Sequence, residues 1–132
     1  MKFSEFYICD NEGKSNCVIR SFSKAYNEEY DSVSSELGNI AKSLKMSFND
    51  IEVFEEYMKR RNTLAIDYGK DLKIKDLELD NGLYIVFCWD KKEFYHMVPI
   101  INNTLYDRNN DSNDLYVITL YKKNKEVTKW YI

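Results

Sequence analysis

The spacing of apolar residues changes between the first and second halves of the chain, and this change limits the fold more than any other feature. In the first half, apolar side chains recur every three or four positions, which is the period of a helix that buries one face. The clearest stripe consists of Tyr30, Val33, Leu37, Ile40 and Leu44. In the second half, apolar residues form short runs that are typical of strands. Helices followed by strands predict an α+β domain, with N-terminal helices packed on a C-terminal antiparallel β-sheet.

We predict one domain over residues 1–132, because no repeat, low-complexity tract or linker interrupts the chain. Its helical part covers about residues 16–62 and contains three helices. The third helix follows Ser47-Phe48-Asn49-Asp50, which resembles a capping box. Its inner face is predicted to carry Ile51, Phe54 and Met58, and its C-terminal end Arg60 and Arg61.

The strand part covers about residues 82–132. Its first strand, 83–89, follows the turn signal Asn81-Gly82 and is apolar on both faces, as in a strand covered on both sides. Four further strands are predicted over 96–101, 104–107, 115–121 and 127–131.

The charge balance argues against a nucleic-acid-binding protein. Nineteen basic and twenty-two acidic residues leave a net charge of −3, without the basic excess such proteins carry. The run Lys59-Arg60-Arg61 is better explained as the cationic end of a helix. The first ten residues are too polar for a signal peptide, and no apolar run is long enough to cross a bilayer. We therefore expect a cytoplasmic protein without a membrane or nucleic-acid partner.

The cysteines and the histidine restrict the chemistry. Cys9, Cys17 and Cys88 are odd in number and widely spaced, so a disulfide framework is not expected. With one histidine and no CxxC motif, a structural zinc site is not expected either. We predict no metal and no cofactor.

Cys17 stands at the predicted start of the first helix, away from its apolar face. On a helical wheel, Val18, Ile19, Phe22, Ala25 and Tyr26 form one arc, and Cys17 lies outside that arc with Arg20, Ser21 and Lys24. Asn16 or Ser15 could cap the helix, which would place the thiol in the first turn, where free N–H groups and the helix dipole favour a thiolate. The alternative is that Cys17 is a small buried hydrophobic residue, as most free cysteines are.

A predicted hairpin brings an acid close to the single histidine. Asn102-Asn103 suits a two-residue turn with positive φ, so Ile101 is expected to pair with Thr104. His96, Asp107 and Asn109 then share one face, with His96 opposite Asn109 and diagonal to Asp107. A carboxylate or amide in this position would orient the imidazole as the base of a cysteine nucleophile. Considered one at a time, the two residues also have ordinary explanations: His96 could be a strand histidine without a catalytic role, and Asp107 could simply end its strand.

Two segments resemble small papain-like cysteine peptidase domains of bacteria and phages, of the kind that process bacteriocins. The first is NCVIRSFSKAYNEEYDSV, in which an Asn-Cys pair opens a helix. The second is GLYIVFCWDKKEFYHMVPIINNTLYDRNNDS, in which a G-x-Y-I-V strand precedes H-x-V-x-I, a turn and Y-D. Together they cover about a third of the chain, in the order cysteine, histidine, acid or amide.

The resemblance implies a papain-like α+β fold and a Cys-His-Asp triad formed by Cys17, His96 and Asp107, with Asn109 as an alternative orienting residue. In such enzymes a side-chain amide upstream of the cysteine donates to the oxyanion, and Asn11 is the candidate, although the family more often uses glutamine there. Asp10 is less suitable, because a carboxylate would repel the oxyanion. The implied activity is hydrolysis of a peptide or amide bond in a peptide or protein substrate.

The sequence departs from these relatives in two places. Residues 90–95 lengthen the connection before His96, and Asn102-Asn103 replaces the Asp-Gly or similar turn of the relatives. Cys88 lies in an apolar strand and is expected in the core, whereas Cys9 has no assigned role. The alternative function is a papain-like binding module without turnover, such as a phage-encoded inhibitor or adaptor, in which residues 90–95 would plug the cleft.

Overall fold

A computed structural model describes residues 1–6 and 16–124 of the chain. It contains three helices: α1 (Cys17–Tyr26), α2 (Tyr30–Leu44) and α3 (Ile51–Lys59). Six strands are β1 (Lys2–Glu5), β2 (Thr63–Ile66), β3 (Leu83–Trp89), β4 (Tyr95–Ile101), β5 (Thr104–Asp107) and β6 (Tyr116–Lys123). Two short 3-10 helices cover Ile74–Asp76 and Asn110–Asp114. The predicted α+β class is confirmed.

The strands form one sheet in the order β1-β5-β4-β3-β6-β2. The prediction of a purely antiparallel sheet is wrong, because β1 pairs in parallel with β5, from Lys2 opposite Thr104 to Glu5 opposite Asp107. The remaining neighbours are antiparallel. The sequence analysis did not identify β1 or β2, which are short edge strands of four residues each. The predicted strand 127–131 lies outside the described residues.

The sheet separates two apolar clusters, because successive side chains of a strand point to opposite faces. Ile85, Met97 and Tyr121 pack with the helices on one face. On the other face, Cys88, Val98 and Leu105 pack with residues of the segment between β2 and β3, including Ile74 and Leu77. Because this second cluster covers the other face of the sheet, β3 is apolar on both faces, as predicted.

The helix starts and ends follow the expected local chemistry with one exception. Asn16 caps α1, because its Oδ1 accepts a hydrogen bond from the N–H of Ile19 at 3.2 Å. In the predicted capping box, the N–H of Ser47 donates to Asp50 Oδ2 at 3.0 Å, the segment forms a turn, and α3 begins after it at Ile51. The exception is Ile51, which is exposed and not on the inner face as predicted; the buried face of α3 consists of Val53, Phe54, Tyr57 and Met58.

The basic run lies at the C-terminal end of α3, as predicted, and its two arginines pair with acidic residues. Arg61 donates to both carboxylate oxygens of Glu28, at 2.9 and 3.0 Å, and to Glu36 at 2.7 Å. Its guanidinium also lies 3.6 Å from the centroid of the Tyr57 ring. Arg60 pairs with Glu56 one turn earlier, at 3.0 Å. In residues 1–6 and 16–124, none of the helices combines the length and the apolar character needed to span a membrane.

Candidate active site

Helix α1 lies against β4, and two polar contacts fix its position. The hydroxyl of Ser21 donates to the backbone carbonyl of Met97 at 2.9 Å, and the N–H of Met97 donates to the sulfur of Cys17. The backbone of Met97 is open to α1 because the β4–β5 ladder contains only Ile100 opposite Leu105 and Ile101 opposite Thr104. Cys17, one helical turn before Ser21, is thereby held beside the start of β4.

The β4–β5 hairpin brings His96 and Asp107 into direct contact. Asn102 and Asn103 have φ values of 49° and 63°, as the predicted two-residue turn requires. The Nε2 atom of His96 lies 2.7 Å from Oδ2 of Asp107, and the side chains are 12% and 9% exposed. The other carboxylate oxygen of Asp107 accepts the backbone N–H of Arg108 at 2.8 Å. Both oxygens of Asp107 are thus engaged, and the imidazole is fixed in orientation.

The other side of the imidazole faces Cys17, so the thiol, the imidazole and the carboxylate of the three predicted residues follow one another. The side chains of Cys17 and His96 interact, and each shifts the pKa of the other. Because Nε2 of His96 is occupied by Asp107, Nδ1 is the ring nitrogen left for the thiol. Helix α1, strand β4 and strand β5 each contribute one member of this arrangement.

Burial and charge act in opposite directions on these groups. Burial raises the pKa of the Cys17 thiol, but the hydrogen bond and charge of His96, the Met97 N–H and the Arg20 charge outweigh it, so the pKa lies below the ordinary value. Burial lowers the pKa of His96, yet hydrogen bonds to Asp107 and Cys17 raise it to about 9. Burial also raises the pKa of Asp107, whereas His96 and the Arg108 N–H lower it, with a net decrease.

These shifts favour a thiolate at Cys17 beside a protonated His96. A thiolate is the nucleophilic form of cysteine, and a protonated imidazole can donate to a leaving group. Such a pair, held by a carboxylate on the far side of the ring, can carry out nucleophilic attack on a carbonyl carbon.

An open cavity of about 650 Å³ lies in front of Cys17. Its walls come from α1, the start of α3 and strands β3 and β4, and they include Val18, Phe54, Phe87, Tyr95, His96 and Met97. Most of these side chains are apolar, and Asn16 and Asn49 are polar groups on the rim. A substrate carbonyl could therefore reach Cys17 from an apolar cleft.

Residues 90–95 border this cleft without filling it. Asp90 Oδ1 accepts the backbone N–H groups of Lys92, Glu93 and Phe94 at 2.8–3.1 Å, which shapes the segment as a tight turn. The Phe94 ring stacks on His96, with a centroid distance of 5.6 Å. Phe94 thus shields one face of the imidazole from water, although it is itself 53% exposed.

The sequence analysis missed the burial of Arg20 and Ser21. The helical wheel placed Cys17 outside the apolar arc with these two residues, but the structure packs Cys17 against the helix-side cluster and covers Arg20 and Ser21 as well. Arg20 is 9% exposed and Ser21 only 2%. A helical wheel sorts residues by polarity and does not show whether a polar face contacts another element. Ser21, one turn after Cys17, was the feature of the sequence that could have indicated such a contact.

The other residues considered in the sequence have different positions. Asn109 does not orient His96: β5 ends at Asp107, and Asn109 Oδ1 caps the second 3-10 helix by accepting the Asp111 N–H at 2.9 Å. Cys88 is fully buried, as predicted, and burial raises its pKa. Cys9, Asp10 and Asn11 lie outside the described residues.

Within residues 1–6 and 16–124, no group of three or more histidine, cysteine, aspartate or glutamate side chains is arranged to hold a metal ion. The chain matches no protein-family model, no curated protein and no solved structure.

Proposed function

We propose that this protein is a cysteine hydrolase of papain-like fold, which cleaves a peptide or amide bond through an acyl-enzyme on Cys17. The observation that carries the proposal is the arrangement of Cys17, His96 and Asp107, in which the imidazole is hydrogen-bonded to the carboxylate and interacts with the thiol on its other side. Three separate elements supply these residues, at the N-terminal end of a helix and beside a cleft of about 650 Å³. The order cysteine, histidine, acid along the chain fits the papain-like arrangement.

In the first step the Cys17 thiolate attacks the carbonyl carbon of the bound amide and forms a carbon–sulfur bond. The carbonyl oxygen becomes an oxyanion beside the N–H of Cys17, which has no partner inside the helix because Cys17 is its first residue. Asn11 remains the predicted second oxyanion donor. The His96 imidazolium then gives its proton to the departing nitrogen, the carbon–nitrogen bond breaks, and the amine leaves.

In the second step neutral His96 removes a proton from a water molecule, which attacks the thioester carbonyl. The carbon–sulfur bond breaks, the acid leaves, and Cys17 and His96 return to the thiolate–imidazolium pair. Asp107 stays ionised throughout, because its function is to hold the ring and stabilise the imidazolium. A reducing compartment such as the cytoplasm would keep the Cys17 thiol free.

The alternative of a binding module without turnover is less well supported. That module was expected to have its cleft plugged by residues 90–95, whereas Tyr95 forms part of the wall of the cleft and Phe94 lies on His96. A lowered thiol pKa is also typical of a nucleophilic cysteine.

The proposal is tested with an activated ester, p-nitrophenyl acetate, which needs no substrate specificity. We expect a burst of p-nitrophenol and one acetyl group per chain, located at Cys17 by peptide mass spectrometry. The acetyl group should then disappear as water hydrolyses the thioester. Cys17→Ala and Cys17→Ser should give neither the burst nor the acetylated peptide. Acetylation of Cys88 or Cys9 at the same rate as Cys17 contradicts the proposal, and a stable acetyl group on Cys17 supports the module without turnover.

A further inference from the structure

Arg20 is a buried cation without a side-chain hydrogen bond or ion pair in the described part of the chain, although its charge acts on the nearby Cys17 thiol. It is 9% exposed, and its Nε atom is buried without a hydrogen bond. None of the hydrogen bonds and ion pairs of residues 1–6 and 16–124 includes its guanidinium. An isolated charge inside a protein is strongly unfavourable unless a counter-ion or hydrogen bonds compensate it. Arg61, by contrast, makes several charged hydrogen bonds, whereas the guanidinium of Arg20 has no carboxylate partner within residues 1–6 and 16–124.

The Arg20 side chain borders a second cavity of about 550 Å³, separate from the cleft that contains Cys17. His96 and Asp107 form one side of this cavity, and Arg108, Asn109 and Asp111 lie on the other. Ser112 is also in its wall; its Oγ lies near Asp107 and lowers the pKa of that carboxyl, but it makes no hydrogen bond of normal geometry. The cavity therefore combines a buried cation with further polar groups, as a ligand site requires.

The charges around the cavity fit an anion of low charge. Arg20 and protonated His96 supply positive charge, while Asp107 and Asp111 supply negative charge. Asp107 is already engaged by His96 and by the Arg108 N–H, so it does not neutralise Arg20. The guanidinium fork suits a carboxylate held by two hydrogen bonds. A dianion such as a phosphate would be repelled more strongly by the two aspartates.

We propose that this second cavity binds a carboxylate group of the substrate, with Arg20 as its main ligand. The location of this cavity indicates that the carboxylate belongs to the part of the substrate on the leaving-group side of the cleaved bond. His96 borders both cavities, and the leaving amine must lie next to His96 to receive its proton. The substrate class is therefore a peptide or amide whose amine portion carries a carboxylate. The role in substrate choice rests on the proposed hydrolase function, whereas carboxylate binding as such does not.

Two alkylating reagents that differ only in charge test the proposal on the full chain. Iodoacetate carries a carboxylate and iodoacetamide a neutral amide, and both alkylate a thiolate. We expect the ratio of their rates at Cys17 to exceed the ratio for free cysteine, and Arg20→Gln to lower it by roughly tenfold, the usual effect of losing one charged hydrogen-bonding partner. Arg20→Lys should retain part of the preference, and Lys24→Gln, which removes a charge one turn further along α1, should retain all of it.

Equal slowing of both reagents in Arg20→Gln would overturn the proposal, because it would mean that Arg20 acts only on the thiol. A second measurement does not depend on thiol chemistry: succinate should raise the melting temperature of wild type and Lys24→Gln, but not of Arg20→Gln. No effect of succinate on wild type, or an equal effect on Arg20→Gln, would also overturn it. If Cys17 reacts with neither reagent while succinate still stabilises through Arg20, the hydrolase proposal fails and the carboxylate site stands.

Discussion

The hydroxyl of Ser21 donates a 2.9 Å hydrogen bond to the carbonyl of Met97, and this contact joins the helix that begins at Cys17 to the strand that contains His96. Both partners are buried. Because Cys17 lies one turn before Ser21 and His96 one residue before Met97, the contact sets the distance between the thiol and the imidazole. A site that depends on a hydrogen bond between two elements is sensitive to small shifts of either element.

Ser21→Ala should therefore lower both stability and thiol reactivity. Loss of the buried hydrogen bond leaves the Met97 carbonyl without its partner on α1, at a cost of about 1–2 kcal/mol in the free energy of unfolding. The rate of Cys17 alkylation by iodoacetamide should fall as α1 moves. The matched control is Ser23→Ala, because the Ser23 hydroxyl donates to the Glu28 carbonyl at the far end of the helix. If Ser23→Ala slows alkylation as much as Ser21→Ala, the contact does not position the thiol.

Asp107→Asn should raise the pKa of Cys17 through His96. The neutral amide no longer stabilises the imidazolium, so the pKa of His96 falls, and the thiolate loses its protonated partner. We expect the alkylation rate of Cys17 to fall by roughly tenfold at pH values below the ordinary thiol pKa of 9.0, where the lowered pKa of the wild-type thiol maintains more thiolate. Asp114→Asn removes a charge that pairs with Lys75 on the surface and should leave the pH profile unchanged. An unaltered profile in Asp107→Asn would rule out the orienting role.

The pH dependence of stability should reflect the His96–Asp107 pair. The pKa of His96 is raised to about 9, so its contribution is complete below the ordinary value of 6.5 and is lost as the pH rises through about 9. The pKa of Asp107 is lowered, so its contribution is present above the ordinary value of 3.8 and is lost as the pH falls through the lower folded value. The pair should therefore stabilise the protein most between pH 3.8 and pH 6.5, the ordinary pKa values of the two groups.

Urea unfolding in a Cys17→Ala background measures this effect without titration of the thiol. The difference in unfolding free energy between the background and its His96→Gln derivative should be larger near pH 6 than near pH 10. A difference that is the same at both pH values would show that Asp107 does not keep His96 protonated.

Arg61→Ala should destabilise the protein much more than Arg60→Ala. Arg61 is 16% exposed and pairs with Glu28 and Glu36, so its removal leaves two partly buried carboxylates without a partner, at a cost of about 2 kcal/mol. Arg60 is 48% exposed, and such surface pairs contribute little. Thermal unfolding of the two variants makes the comparison. Equal, small effects would contradict the structural role of Arg61.

The hairpin and the helix start could be predicted because local chemistry determines them. Asn102-Asn103 defines the turn and with it the register that brings Asp107 diagonal to His96. Asn16 defines the start of α1 and thus the position of Cys17. Both signals lie within a few residues of the feature that they determine.

The parallel edge strand and the burial of Arg20 depend on contacts between distant segments. Lys2 pairs opposite Thr104, and the four residues of β1, two exposed and two partly buried, have no apolar pattern of their own. Arg20 is polar, so a pattern based on hydrophobicity assigns it to solvent, whereas docking of α1 on β4 covers it. Neither the partner strand nor the docking direction is encoded in the spacing of nearby residues.

The central claim is that His96 and Asp107 hold Cys17 as a thiolate, and the rate of Cys17 alkylation by iodoacetamide as a function of pH tests it most directly. Peptide mass spectrometry assigns the label, and Cys88, which is fully buried, should react only after unfolding. We predict a wild-type rate that stays high well below the ordinary thiol pKa of 9.0, and a His96→Gln rate that rises only near that value. A wild-type rate that itself rises only near the ordinary thiol pKa, or that His96→Gln leaves unchanged, would contradict the claim.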